Sequence, residues 1–146
     1  MKFKCFLEKS LRENEQVFAV FVIAVINGKY TATTRAKDKE EFDENVKYGF
    51  PGGKVDQGET VQETALRESK EEGWHFDSVS EPFFKTVVQG KTVAWCKGNN
   101  PKMLSNYKEK QRGIKPVLVD ENKLKGFGNE EAIKAFLDLR EELDEG

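Results

Sequence analysis

Three glutamates, Glu68, Glu71 and Glu72, stand at i, i+3 and i+4 in the stretch Thr60 to Glu72. If that stretch is helical, at 3.6 residues per turn they share one face. Three carboxylates so close repel one another, and the negative dipole end of a helix makes this worse. A divalent cation removes the penalty, and hard carboxylate oxygens are what Mg²⁺ or Mn²⁺ prefers. The plainer reading is a solvated acidic face, since Glu is a good helix former. Arg67 directly precedes this face. It can hold a neighbouring acid by a bidentate pair, or form a surface ion pair worth only roughly 0–1 kcal/mol.

The segments that must position these groups are legible on either side. Thr60 and Glu63 form a T-x-x-E capping box, which starts the helix at Thr60. Gly73 is its expected stop. Upstream, Phe50-Pro51-Gly52-Gly53 reads as a tight turn leading into Lys54-Val55. Its bare backbone can approach a ligand closely or offer a carbonyl to a metal. Gly58 and Glu59 make a second turn just before the cap. Either glycine group taken alone reads equally well as an ordinary turn.

The rest of the chain supplies strands. Phe3, Cys5 and Leu7 alternate with polar residues, which predicts a short first strand. Val17 to Ile26 is a continuous β-branched and aromatic run, expected as a strand buried on both faces. Asn27-Gly28 signals a hairpin returning through Tyr30 to Thr34. Lys37 to Lys47 is charged and reads as a loop or short exposed helix. Strands are expected at His75 to Val79, Pro82 to Val88, Thr92 to Cys96 and Ile114 to Val119, with Gly98 to Gly113 a long polar loop. Asn129 is expected to cap a terminal helix whose apolar stripe is Ile133, Phe136, Leu137 and Leu143. Strands around a central and a terminal helix predict an α/β fold, a mixed sheet with helices packed on it.

Composition narrows the classes. A chain of 146 residues suits one domain, residues 1–146. The formal net charge of −2 gives no whole-protein field for DNA or RNA. The apolar run Val17 to Ile26 is too short to span a bilayer, and nothing at Met1 to Ser10 reads as a leader. Cys5 and Cys96 have no CxxC spacing and fit inert thiols in a reducing, cytoplasmic setting. His75, the only histidine, reads as structural or exposed rather than as a substrate contact. Trp74 and Trp95 could stack on a base but read first as core or rim packing.

Taken together, Gly53 to Gly73, GKVDQGETVQETALRESKEEG, resembles the Nudix box. Gly53, Glu59, Arg67, Glu68, Glu71 and Glu72 all fall at that family's spacing. Ser69 replaces an apolar residue, Gly73 comes one position early so that Trp74 takes the usual glycine slot, and Asp56 stands where many members have Glu. The resemblance implies an α/β/α sandwich and hydrolysis of a nucleoside diphosphate linked to another group. ADP-ribose, dinucleoside polyphosphates, flavin dinucleotide and modified nucleoside triphosphates all stay open as substrates. It implies Glu68, Glu71, Glu72 and the Gly52 carbonyl as ligands to Mg²⁺ or Mn²⁺. Glu68 would act as, or orient, the general base, Arg67 would position Glu68 or Glu59, and Glu59 would support the loop. A further acid is expected from Glu109, Asp120, Glu121, Glu130 or Glu131, with Glu109 and Glu121 ranked first. The competing class is a non-catalytic Nudix-fold module that binds a nucleotide or a protein; such a module is expected to lose acids that this chain keeps. Homodimerisation stays open.

Overall fold

The computed structural model describes residues 17–35 and 47–145. In chain order its elements are β1 (Val17–Ile23), β2 (Val25–Ile26), β3 (Lys29–Arg35), β4 (Tyr48–Gly49), β5 (Gly52–Lys54) and the helix α1 (Val61–Glu71). These are followed by β6 (Trp74–His75), β7 (Ser78–Val79), β8 (Phe84–Val88), β9 (Lys91–Asn99) and β10 (Lys102–Met103). Then come the 3₁₀ turn η1 (Lys108–Arg112), β11 (Ile114–Val119), the 3₁₀ turn η2 (Glu121–Lys123) and the helix α2 (Asn129–Glu145). The strand expected around Phe3, Cys5 and Leu7 lies outside the described residues, as does the Lys37 to Lys47 segment up to its last residue.

The apolar run from Val17 serves two sheets rather than forming one strand. β1 lies between β5, antiparallel, and β9, parallel. At Ala24 the chain crosses to the second sheet, where β2 pairs with β3. The Thr31 N–H donates to the Ala24 carbonyl at 3.0 Å, so the crossing residue keeps a backbone partner. Asn27 (φ 50°) and Gly28 (φ 82°) make the tight turn between Ile26 and Lys29. Positive φ at both central positions suits the right-handed twist of the strands it joins. β3 then pairs with β4 on one side and along its whole length with β11 on the other, from Arg35↔Ile114 to Tyr30↔Val119.

The first sheet separates two apolar layers. On one face Val20, Val22, Ala94 and Cys96 pack with Ala65 of α1 and with Trp74. On the other, Ile23, Val93 and Trp95 pack with Tyr30, Phe50, and Ile133 and Phe136 of α2. β1 contributes to both layers, which explains its unbroken apolar sequence. Burying each such side chain contributes roughly 1.5–3 kcal/mol. Helix, sheets and helix form the expected α/β/α sandwich.

Several expectations need correction. Gly52 and Gly53 do not merely turn; they form β5 on the edge of β1. The polar stretch from Gly98 is not one loop: β9 continues to Asn99, β10 pairs with β6, and η1 follows. The buried face of α2 is Asn129, Ala132, Ile133 and Phe136, while Leu137 is exposed. Asn129 is itself the first helical residue, and the Gly128 carbonyl accepts from Ala132. Trp74 and Trp95 are wholly buried, the core packing expected first, so neither presents a stacking face. Cys96 is a buried free thiol that burial pushes up to about 12. His75 is partly exposed, 3.5 Å from Asp77. No helix among the described residues is long and apolar enough to cross a membrane.

Candidate active site

α1 begins as its sequence directs. The Glu63 N–H donates to the Thr60 hydroxyl at 3.0 Å, and the Thr60 N–H donates to the Glu63 carboxylate at 2.8 Å. The helix ends where Glu72 leaves helical geometry and Gly73 takes φ 106°. A Cβ on Gly73 would meet Pro116 of β11 at 2.7 Å, so glycine is required there for space as well as for conformation. Immediately after it the Trp74 indole N–H donates to the Ala32 carbonyl at 2.7 Å, fastening the helix exit to the second sheet. The early glycine thus trades the family's usual exit for a buried tryptophan anchor. Ser69, in the apolar slot, is fully buried and its hydroxyl has no hydrogen-bond partner. Such a group typically costs about 1–3 kcal/mol.

β5 lies under this helix. A Cβ on Gly52 would collide with the Val20 carbonyl of β1, and one on Gly53 would meet the Glu68 carboxyl carbon at 2.7 Å. Their missing side chains therefore let β5 fit between β1 and the acidic face of α1. The Gly52 N–H donates to Glu72 Oε1 at 3.0 Å. The sequence had pointed to the Gly52 carbonyl; the contact that the geometry adds is made by its nitrogen.

Arg67 is the hub. Its Nε and Nη2 grip both oxygens of Glu59 at 2.9 Å each, and Nη2 also reaches Asp56 at 2.9 Å. Nη1 reaches Glu68 Oε1 and Glu71 Oε2, each at 3.2 Å. The Thr64 hydroxyl adds a hydrogen bond to Glu59 at 2.9 Å. The hydrogen bonds from Arg67 hold the Glu59 carboxyl below its ordinary range, and those to Glu59 hold the guanidinium in its charged form. Arg67 therefore positions Glu59 and Glu68 together. Asp56 and Thr64 were not singled out for this role: Asp56 meets Arg67 across the turn before the helix, and Thr64 acts through Glu59.

Glu68 and Glu72 experience the opposite effect. Burial raises the Glu68 carboxyl above its ordinary value, with Arg67 opposing the shift. Burial pushes Glu72 up to about 8, and the charges of Glu68 and Glu109 add to the rise against the Gly52 hydrogen bond. Of the five downstream acids, Glu109 on η1 is the one whose charge is felt here. Its side chain is 14% exposed and is held by Arg112 at 3.0 Å. Glu121 acts on Tyr30 instead, Asp120 lies 3.7 Å from Lys29, Glu130 accepts from the Gly126 N–H, and Glu131 is exposed. On the same 3₁₀ turn as Glu109, Lys108 lies 3.7 Å from Glu71.

The donors gathered here are hard oxygens with a shortfall of positive charge at Glu72, which fits a divalent cation. Among the described residues no three acidic, histidine or cysteine side chains converge closely enough to cage an ion as they stand. Glu68 and Glu71 are turned toward Arg67, and small side-chain rotations would be needed to aim them together.

The NUDIX domain family model matches residues 15–128, most of the chain. The MutT Nudix hydrolase of Burkholderia pseudomallei superposes with a TM-score of 0.59 at 18% identity, over 82% of this chain and 96% of that one. A MutT described for the fish pathogen Aliivibrio salmonicida and for Vibrio cholerae gives 0.59 at 19% identity, over 81% and 94%. An ADP compounds hydrolase gives 0.59 at 19% identity, over 86% and 72%. No curated protein matches the chain. At these identities the structural likeness speaks to the fold; the family match spans the strands, the glycine pair and the whole acidic helix, and the chain belongs to the Nudix family.

Proposed function

We propose that this protein hydrolyses the diphosphate linkage of nucleoside diphosphate derivatives, with Mg²⁺ or Mn²⁺, by attack of water on phosphorus. The observation that carries the reading is the part-buried carboxyl of Glu72, raised to about 8 beside Glu68 and Glu109 with one backbone donor for support. A helix end built only for stability would place Lys or Arg there. Glu68, Glu71, Glu72 and the Gly52 carbonyl would hold the ion. When bound, Mg²⁺ or Mn²⁺ would neutralise phosphate oxygens and lower the pKa of bound water.

The chain's own groups then divide the work. Glu68, half-buried and with its proton affinity raised, is suited to accept a proton from the attacking water. Arg67 fixes its orientation while Glu59 and Asp56 fix Arg67. The lack of a side chain at Gly53 leaves room for the Glu68 carboxyl, and at Gly52 it lets the strand lie against β1. ADP-ribose and dinucleoside polyphosphates remain the first substrates to try, with modified nucleoside triphosphates next. With both tryptophans buried, neither can supply base stacking.

Turnover of a nucleotide panel in ¹⁸O-water with Mg²⁺ tests this directly. Label should enter a phosphate and a nucleoside monophosphate should appear. Label in a sugar or base would reject the mechanism. Nucleotide binding without turnover on the whole panel would leave the non-catalytic module as the better account.

A further inference from the structure

The cations around the acidic face are not equivalent. All five N–H groups of Arg67 are committed: one to Glu68, one to Glu71, one to Asp56 and two to Glu59. Arg112 is held by Glu109. Lys108 differs. Its side chain is 70% exposed, and its ammonium stands 3.7 Å from Glu71 Oε2, too far for a hydrogen bond. That same oxygen already accepts from Arg67 Nη1 at 3.2 Å. Glu71 therefore carries two cations on one oxygen, one anchored by four carboxylates and one resting, among the described residues, on Glu71 alone. A divalent ion taking Glu71 would displace the weaker of the two. The four-carbon stem of Lys108 then leaves a strongly donating point charge at the edge of the site, with three N–H groups to offer.

We propose that Lys108 is a phosphate-binding residue of this site, resting against Glu71 until the site is loaded and then donating to a non-bridging oxygen of the substrate's diphosphate. This rests on the hydrolase reading above and adds to it a binding group from outside the helix and its glycine turn. Arg67 cannot fill that role without releasing a carboxylate.

The two states give opposite expectations for one substitution, measured by calorimetry on the full chain. In Lys108→Gln, Mn²⁺ alone should bind at least as tightly as in the wild type, because a competitor for Glu71 is gone. The non-hydrolysable diphosphate α,β-methylene-ADP, titrated with Mn²⁺ present, should bind about tenfold more weakly, the loss of one charge-assisted hydrogen bond. Lys108→Arg should stay within about threefold of the wild type for this probe. Equal affinity of wild type and Lys108→Gln for the probe would overturn the proposal, as would a loss that Mn²⁺ alone shows to the same extent. If the wild type binds Mn²⁺ and the probe and Lys108→Gln binds both equally well, this proposal alone falls. If the wild type binds neither, the metal-dependent hydrolase reading falls with it.

Discussion

The two ends of α1 follow opposite rules. At the first turn, Thr60 and Glu63 satisfy each other's backbone donors, and an acid sits near the positive end of the helix dipole. At the last turn three acids crowd the negative end with Lys70 as the single basic residue of that turn. One of those acids, Glu72, is part-buried with its proton affinity raised. Both ends are made largely of glutamate, so composition does not separate them. Their partners do: Glu63 meets the Thr60 backbone N–H, whereas Glu72 meets a backbone N–H and two like charges that outweigh the opposite charge of Arg35. The first end stabilises the fold; the second costs stability and is held in place by Arg67, β5 and the buried exit at Trp74.

The largest expected effect comes from removing what the second end lacks. EDTA should reduce turnover to background and excess Mg²⁺ should restore it; full activity in metal-free buffer would end the assignment. Next, Glu68→Gln and Glu72→Gln should each lower kcat by about 10²-fold or more, as expected for loss of a base or a metal ligand. Gln keeps size and helix propensity, so circular dichroism should be unchanged. At pH 9, where the Glu72 carboxyl is charged, the metal-free Glu72→Gln protein should melt higher than the wild type, because that part-buried charge and its repulsion with Glu68 are gone. A lower melting temperature would mean that the last turn stabilises the fold after all.

The acid end should also show itself in the pH dependence of stability without metal. The Glu72 carboxyl titrates near 8 in the native protein and near its ordinary value of 4.5 when unfolded. Between those values the native state binds more protons than the unfolded one, so stability falls as pH rises. The contribution is fully present below about 4.5 and is lost as pH passes through about 8. At 1.36 kcal/mol per unit the full effect is on the order of a few kcal/mol. Glu68, also raised, adds in the same direction, while Glu59, lowered by Arg67, loses its contribution only in acid. Denaturant titrations in EDTA at pH 5 and pH 9 should show the wild type more stable at the lower pH, and Glu72→Gln should flatten most of that difference. An unchanged difference in the variant would place the titrating group elsewhere.

Much of this architecture was legible in the sequence because local rules decided it. The capping box, the Asn27-Gly28 turn and the last strand, Ile114–Val119, depend on neighbours in the chain and appeared where expected. The acids of α1 were legible because helical spacing alone brings them to one face. What escaped depended on contacts between distant segments. Gly52 and Gly53 were read as a turn open to ligand, yet the crowding that requires glycine at Gly52 comes from the β1 backbone, and a side chain at Gly53 would displace the Glu68 carboxyl. β10 was taken for loop because two polar-flanked residues carry no period, and its pairing with β6 is set by the helix exit. Glu109 and Glu121 were indistinguishable in sequence; the fold puts one by Glu72 and the other by Tyr30.

The smallest effect is the sharpest check on the contrast between the two ends. Thr60→Ala removes the hydroxyl that accepts from the Glu63 N–H and leaves the reciprocal bond from the Thr60 N–H in place. Loss of such a cap costs about 1 kcal/mol, which for a chain of this size lowers the melting temperature by roughly 2–4 °C. Thr60→Ser should recover most of it, because the hydroxyl is retained. Glu63→Gln should cost less still, since the amide oxygen can accept the same bond. All three should keep kcat within about twofold of the wild type if the first end serves only the fold. The test is strict because Glu59, which grips Arg67 with both oxygens, is the residue just before the cap. A tenfold fall in kcat for Thr60→Ala, with the protein still folded at the assay temperature, would show that the cap also sets the position of Glu59. The two ends would then be one coupled unit joined through Arg67.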